Sequence, residues 1–196
     1  MKRNLFKGIY VIFALFLALL IFLNSYFLSK IDSSISSFFK LFNHPLLISL
    51  MIKFNLITNF YLFLMLVIVV FVYFIYFKKE REAFLSSFAL VFGIILSYLF
   101  KVIIRKSRPE SDFLVENSYG FPSSHATIST ILFLIFMFYI MPNIKEKKSR
   151  FFLFVFSLFL FLITLFNRLI LGVHWFSDVI GGVLLGILVF FFVKKI

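Results

Sequence analysis

The sequence predicts an all-α membrane protein: a bundle of six transmembrane helices with interfacial helices between the first and second spans. Three observations carry this reading. Hydrophobic residues make up 63% of the chain and charged residues 14%, with a mean hydropathy of +1.10, whereas soluble domains carry about 25% charged residues. Six apolar runs approach the roughly 20 residues needed to cross a hydrocarbon core about 30 Å thick. The basic residues gather in short segments between those runs.

The runs are Ile9–Leu28, Thr58–Phe77, Ala83–Ile104, Ser123–Met141, Phe151–Leu171 and Val173–Val193. The first reads as a retained helix. It is too apolar for too long to be a signal peptide, and Asn24-Ser25-Tyr26 offers no small-residue cleavage pattern. Between the first and second runs, Ser29–Ile57 mixes Ser, Lys and Phe with one break at Asn43-His44-Pro45. That pattern predicts one or two amphipathic helices in the membrane interface. The last three runs reach membrane length only if their polar ends are helical, so those ends lie near headgroup depth. With no repeat and no polar linker, residues 1–196 read as one integral membrane domain with its motifs within 101–178.

Charge distribution sets an expected topology. Lys2, Arg3, Lys7, Lys78, Lys79, Arg81, Lys145, Lys147, Lys148, Arg150, Lys194 and Lys195 all fall on one side if the spans alternate. The positive-inside rule then places both termini in the cytoplasm of a plasma-membrane protein. A net charge of +12 raises nucleic acid as a partner, but basic residues dispersed through inter-helix segments offer no binding surface for it. The absence of Cys excludes disulfides, thiolate metal sites and cysteine nucleophiles. No oligomeric state is legible.

Three polar clusters interrupt the apolar pattern, all on the side opposite the twelve cations. Lys101 lies near the end of the third run, with Arg105 one turn on and Arg108-Pro109 at the exit. A lysine point charge and a planar arginine fork suit an anion. Pro122-Ser123-Ser124-His125 reads as a helix start, where free N–H groups favour phosphate oxygens and His125 is placed to transfer a proton. Arg168 precedes His174 and Asp178, which are four apart and share one helical face if that segment is helical. A carboxylate on one ring nitrogen leaves the other free to attack. Asp178 is also the one carboxylate inside an apolar run, and intramembrane ionisable groups tend to be functional. A lipid transporter would use the cations but has no need of a His–Asp pair.

Taken in order, the clusters resemble the three motifs of the type 2 phosphatidic acid phosphatase family, which is related to vanadium haloperoxidases and glucose-6-phosphatase. Those motifs are Lys followed after six residues by Arg-Pro, then Pro-Ser-Gly-His, then Ser-Arg followed after five residues by His and three more by Asp. Here they are Lys101 with Arg108-Pro109, Pro122-Ser123-Ser124-His125, and Asn167-Arg168 with His174 and Asp178. The resemblance implies a metal-independent phosphatase without cofactor, acting on a phosphorylated lipid at the extracytoplasmic face. It implies His174, His125 and Asp178 as catalytic residues, with His174 forming a phosphohistidine. Lys101, Arg108, Ser123, Ser124 and Arg168 are implied to bind phosphate, the two serines through their amides.

Two positions depart from the pattern. Ser124 stands where the family has Gly, which brings a Cβ and a hydroxyl to the phosphate site. Asn167 stands where the family has Ser, and its amide is expected to supply the donor that the hydroxyl would have given.

Overall fold

The computed structural model describes the backbone of residues 2–58 and 60–196 and the side chains of 8–58 and 61–196; the side chains of Lys2, Arg3 and Lys7 lie outside the described residues. Among these residues the chain is helical, without strands: α1 (Lys2–Phe22), α2 (Tyr26–Lys40), α3 (Pro45–Ile57), α4 (Phe60–Tyr76), α5 (Glu80–Ile104), α6 (Ser124–Ile135), α7 (Lys147–Ile170) and α8 (Phe176–Lys195). A π turn (Phe136–Ile140) and a 3₁₀ turn (Met141–Asn143) extend α6, so it reaches the expected length through Met141.

Four helices are each long and apolar enough to cross a membrane: α5, extended α6, α7 and α8. The bent pairs α1 with α2 and α3 with α4 bring the number to as many as six. The first run is shorter than its hydropathy suggested. It ends at Phe22, and α2 departs at 95°, because Ser25 caps a new helix by accepting the Leu28 N–H at 3.2 Å. The Ser29–Ile57 connector is two helices, parted at His44 with Pro45 in the first turn of α3.

Close packing of α6 on α8 aligns the polar ends. Gly182 and Gly186, four apart on α8, are the small-residue pair that lets two membrane helices touch at backbone distance. A Cβ at Gly182 would lie 2.5 Å from the Ser123 carbonyl oxygen, and one at Gly186 2.7 Å from that of Thr127. Around this contact Phe74, Leu90, Phe121, Ile131, Ile135 and Phe190 are fully buried. By contrast, α7 buries only Thr164, Asn167, Arg168 and Leu169, all near its C-terminal end. Its Phe152, Phe156 and Phe159 face outward, as a lipid-facing helix requires.

The ends of α5 and α7 and the starts of α6 and α8 therefore meet. The opposite end carries basic residues, and there the Lys79 ammonium donates to Asn143 Oδ1 at 2.5 Å, tying the α4–α5 and α6–α7 connections together.

Candidate active site

Helix termination places the third cluster. Gly172, at φ +61°, ends α7 in a Schellman motif: the Val173 N–H donates to the Arg168 carbonyl at 3.2 Å and the Gly172 N–H to that of Leu169 at 3.1 Å. The helix thus stops two residues beyond Arg168, and His174 emerges on the connecting turn. This corrects the expectation of a His174–Asp178 pair on one helical face. His174 precedes α8, and Asp178 lies in that helix's first turn, where its Oδ2 accepts the Trp175 N–H at 3.0 Å. The two still meet, with His174 Nδ1 3.3 Å from Asp178 Oδ2.

The other ring nitrogen of His174 faces Arg108. Nη1 of Arg108 lies 2.9 Å from Nε2 and donates to the Val173 carbonyl at 2.6 Å. A guanidinium has no acceptor, so Nε2 accepts and the ring proton of neutral His174 sits on Nδ1, toward Asp178. Burial first, then the charges of Arg108, Lys101 and Arg168, hold the His174 imidazolium well below its ordinary titration range, while a backbone hydrogen bond at Gly120 works the other way. Burial also draws the Arg108 guanidinium below its ordinary value, against the pull of Glu116 and Asp178. Nε of Arg108 donates to the Ser118 carbonyl at 2.6 Å and Nη2 to Ser118 Oγ at 2.9 Å.

Lys101 is buried near the end of α5 and donates to the carbonyls of Tyr119 at 2.6 Å and Gly120 at 3.2 Å. It thereby pins the loop that leads into the second cluster. Glycine is required at 120 by close approach, since a Cβ there would meet Asp178 Oδ2 at 2.7 Å. Arg105 is not part of the site: it is exposed, and its Nε turns back to the Val102 carbonyl at 3.1 Å.

Arg168 is 1% exposed. Its Nε donates to Asn167 Oδ1 at 3.1 Å and its Nη2 to Asn55 Oδ1 and Asn167 Oδ1. Nη1 alone has no hydrogen-bond partner among the described residues, and a buried guanidinium nitrogen left so is costly unless a ligand answers it. The expected role of Asn167 needs correction. Its Nδ2 donates to the Met51 carbonyl at 2.8 Å, so the amide binds α3 to α7 and orients Arg168 instead of facing an anion.

The second cluster starts α6. Ser123 is the N-cap, with the Ala126 N–H 3.5 Å from its Oγ. Its own N–H donates to the Asp178 carbonyl at 3.0 Å, which removes the Ser123 amide from the expected phosphate donors. The N–H groups of Ser124 and His125 are first-turn amides, which have no acceptor within α6 itself. Ser124 takes an ordinary helical conformation, so the residue replacing the family's Gly brings no backbone strain. His125 packs edge-on against Phe63 and donates from Nε2 to the Thr58 carbonyl at 2.7 Å.

Sequence reading missed Met51, Asn55 and Thr58 on and after α3, which hold Asn167, Arg168 and His125. It also missed a second buried carboxylate, Asp32 on α2, which lies in the amphipathic connector outside the three polar clusters. The lone Asn55 on α3 gave no signal of these contacts.

Fold and site together define a multi-pass membrane protein with a buried, cation-rich cluster of polar side chains, two imidazoles and a carboxylate among them, at one end of the bundle. The chain belongs to the PAP2 superfamily, whose family model matches residues 82–196. Phosphatidylglycerophosphatase B of Bacillus subtilis (strain 168) is 32% identical over 112 residues, which cover 54% of each protein; the match thus spans about half the length of that curated relative. The crystal structure of a transmembrane PAP2 type phosphatidylglycerolphosphate phosphatase from Bacillus subtilis superposes with a TM-score of 0.83 at 25% identity, over 95% of this chain and 94% of that one. Aquifex aeolicus LpxE shares the fold, with a TM-score of 0.59 at 20% identity over 83% of this chain and 94% of its own.

Proposed function

We propose that this chain is a membrane lipid phosphatase that hydrolyses a phosphomonoester or diphosphate of a membrane lipid through a phosphohistidine intermediate. The observation that carries this is the setting of His174: a buried imidazole with Nδ1 3.3 Å from Asp178 Oδ2 and Nε2 2.9 Å from Arg108 Nη1, an arrangement that leaves the Nε2 lone pair to attack. Arg168 Nη1, without a hydrogen-bond partner among the described residues, supports an anion as the ligand. The names of the Bacillus relatives make phosphatidylglycerophosphate the first substrate to test, with phosphatidate and undecaprenyl diphosphate beside it.

The chemistry runs in two steps. The Nε2 lone pair of His174 forms a bond to phosphorus while the bond from phosphorus to the leaving oxygen breaks, its electron pair going to that oxygen. Arg108 moves from Nε2 onto the phosphoryl oxygens and, with Arg168, Lys101 and the Ser124 amide, stabilises their charge. His125, protonated once the negative charge of the phosphate lies beside it, exchanges the Thr58 carbonyl for the leaving oxygen and gives it the Nε2 proton. Neutral His125 then takes a proton from water as the water oxygen attacks phosphorus. The P–N bond breaks, its electron pair returns to His174, and inorganic phosphate leaves. No step calls for a metal.

The site opens at the extracytoplasmic face and both termini are cytoplasmic, in the plasma membrane. The basic character of the opposite end, where Lys79 meets Asn143, supports this orientation by the positive-inside rule. Residues 1–196 act as one domain.

Phosphate release by purified protein in detergent, with EDTA present, tests the proposal. Wild type is expected to turn over at least one of the three lipids, and His174→Ala to lose at least about 10³-fold in kcat. Equal turnover by wild type and His174→Ala excludes the nucleophile. Acid-quenched, phosphorus-labelled protein retains label at His174 if the intermediate forms.

A further inference from the structure

A charged chain runs from α2 to the base of the site. Asp32 is 4% exposed; its Oδ1 accepts the Ser177 N–H at 2.8 Å, and its Oδ2 accepts Ser177 Oγ at 2.6 Å and Lys106 Nζ at 2.9 Å. Lys106 Nζ also donates to Ser177 Oγ and stands 3.2 Å from Asp178 Oδ1. One ammonium therefore bridges two carboxylates, and the far oxygen of the second carboxylate faces His174.

We propose that Asp32 is a positioning residue for the nucleophile: it balances the Lys106 charge so that Asp178 keeps a net negative charge for the Nδ1–H of His174. The count of formal charges makes the case. Lys106, Asp32 and Asp178 sum to one negative charge, and the atom left to express it is Asp178 Oδ2, against the imidazole. Without Asp32, Lys106 and Asp178 form a neutral pair, and the imidazole loses the field that steadies positive charge on its ring as Nε2 bonds to phosphorus. Without Lys106, two carboxylates share a buried site and cannot both stay ionised at low cost. Removing Asp32 and Lys106 together restores the single negative charge. Position in the fold agrees with this role, since Lys106 follows the left-handed turn at Arg105 (φ +54°), which bends the chain off α5 toward α2 and α8. Backbone pairing at Ser177 alone would dock α2; it does not explain an ammonium shared with Asp178.

The inference rests on the phosphatase reading for its kinetic readout and on NMR for a readout free of it. Steady-state kinetics on phosphatidylglycerophosphate in detergent would compare full-length wild type, Asp32→Asn, Lys106→Gln and the double variant. In parallel, the Nδ1 proton of His174 would be followed in protein labelled with 15N-histidine, which contains only three His. Asp32→Asn is expected to lower kcat about ten-fold with KM within about two-fold, and to move the Nδ1 proton upfield as its acceptor weakens. The double variant is expected to recover kcat to within about three-fold of wild type and to return the resonance. If Asp32→Asn does not fold, the comparison of Lys106→Gln with the double variant decides, because the second substitution must then raise activity and restore the signal. An unmoved resonance in Asp32→Asn, or a double variant no better than its worse parent, overturns the proposal. A wild type without turnover overturns the phosphatase reading alone, and the resonance still decides this one.

Discussion

Arg108 Nη1 sits 2.9 Å from Nε2 of His174, so the nitrogen proposed to attack phosphorus already bears a cation against its lone pair. The same nitrogen of Arg108 holds the Val173 carbonyl at 2.6 Å, which fixes the turn that carries His174. One side chain thus orients the nucleophile and stands ready to meet the phosphoryl group.

Arg108→Lys should therefore be nearly as damaging as Arg108→Ala. An ammonium cannot reproduce the planar fork that reaches Ser118, Val173 and His174 together. A loss in kcat on the order of 10²-fold is expected for either variant, read from initial rates of phosphate release. Near-wild-type kcat in Arg108→Lys would reduce Arg108 to a simple counter-charge.

The depressed titration of His174 sets the acid limb of the pH profile. In the folded protein this imidazole remains neutral below its ordinary value of about 6.5, so kcat/KM should hold as pH falls through 6.5 and decline only further into acid. The same shift gives a stability slope. Between the folded value and about 6.5 the unfolded chain binds the extra proton, so stability rises with pH in that window and its contribution is complete above it. Rate profiles and thermal midpoints from pH 4 to 8 check both, and an acid limb centred at or above 6.5 contradicts the assignment.

Restoring the family's serine by Asn167→Ser should harm the protein. A hydroxyl is too short to hold both the Met51 carbonyl and the Arg168 guanidinium that Asn167 now bonds. A stability loss of about 1–3 kcal/mol is expected from the broken buried network. It would appear as a lower thermal midpoint in detergent together with reduced kcat.

Gly182→Val tests the α6–α8 contact. Its side chain would enter space within 2.5 Å of the Ser123 carbonyl and 2.8 Å of Ala126 Cβ, where backbone must move. Overpacking of this kind costs about 1–3 kcal/mol. Activity should fall with it, since Ser123 and His125 ride on the displaced turn. Gly8→Ala within α1, with nothing within 4 Å of the added Cβ, is the control and should not lower the thermal midpoint.

By itself the sequence determined the class of protein, the approximate spans and the identity of the polar residues that gather at one end. Hydropathy, capping residues and motif spacing are local properties, and Lys101, Arg108, His125, Arg168, His174 and Asp178 could be named from them. Tertiary structure alone decided what each side chain touches. The Ser123 and Asn167 amides, expected to meet phosphate, are engaged by the Asp178 and Met51 carbonyls. Asp32 reaches Ser177 across 145 positions of sequence. Such pairings answer the high cost of an unpartnered polar group in a medium without water. Which partner answers it depends on which helix ends the packing brings together, and no local pattern records that.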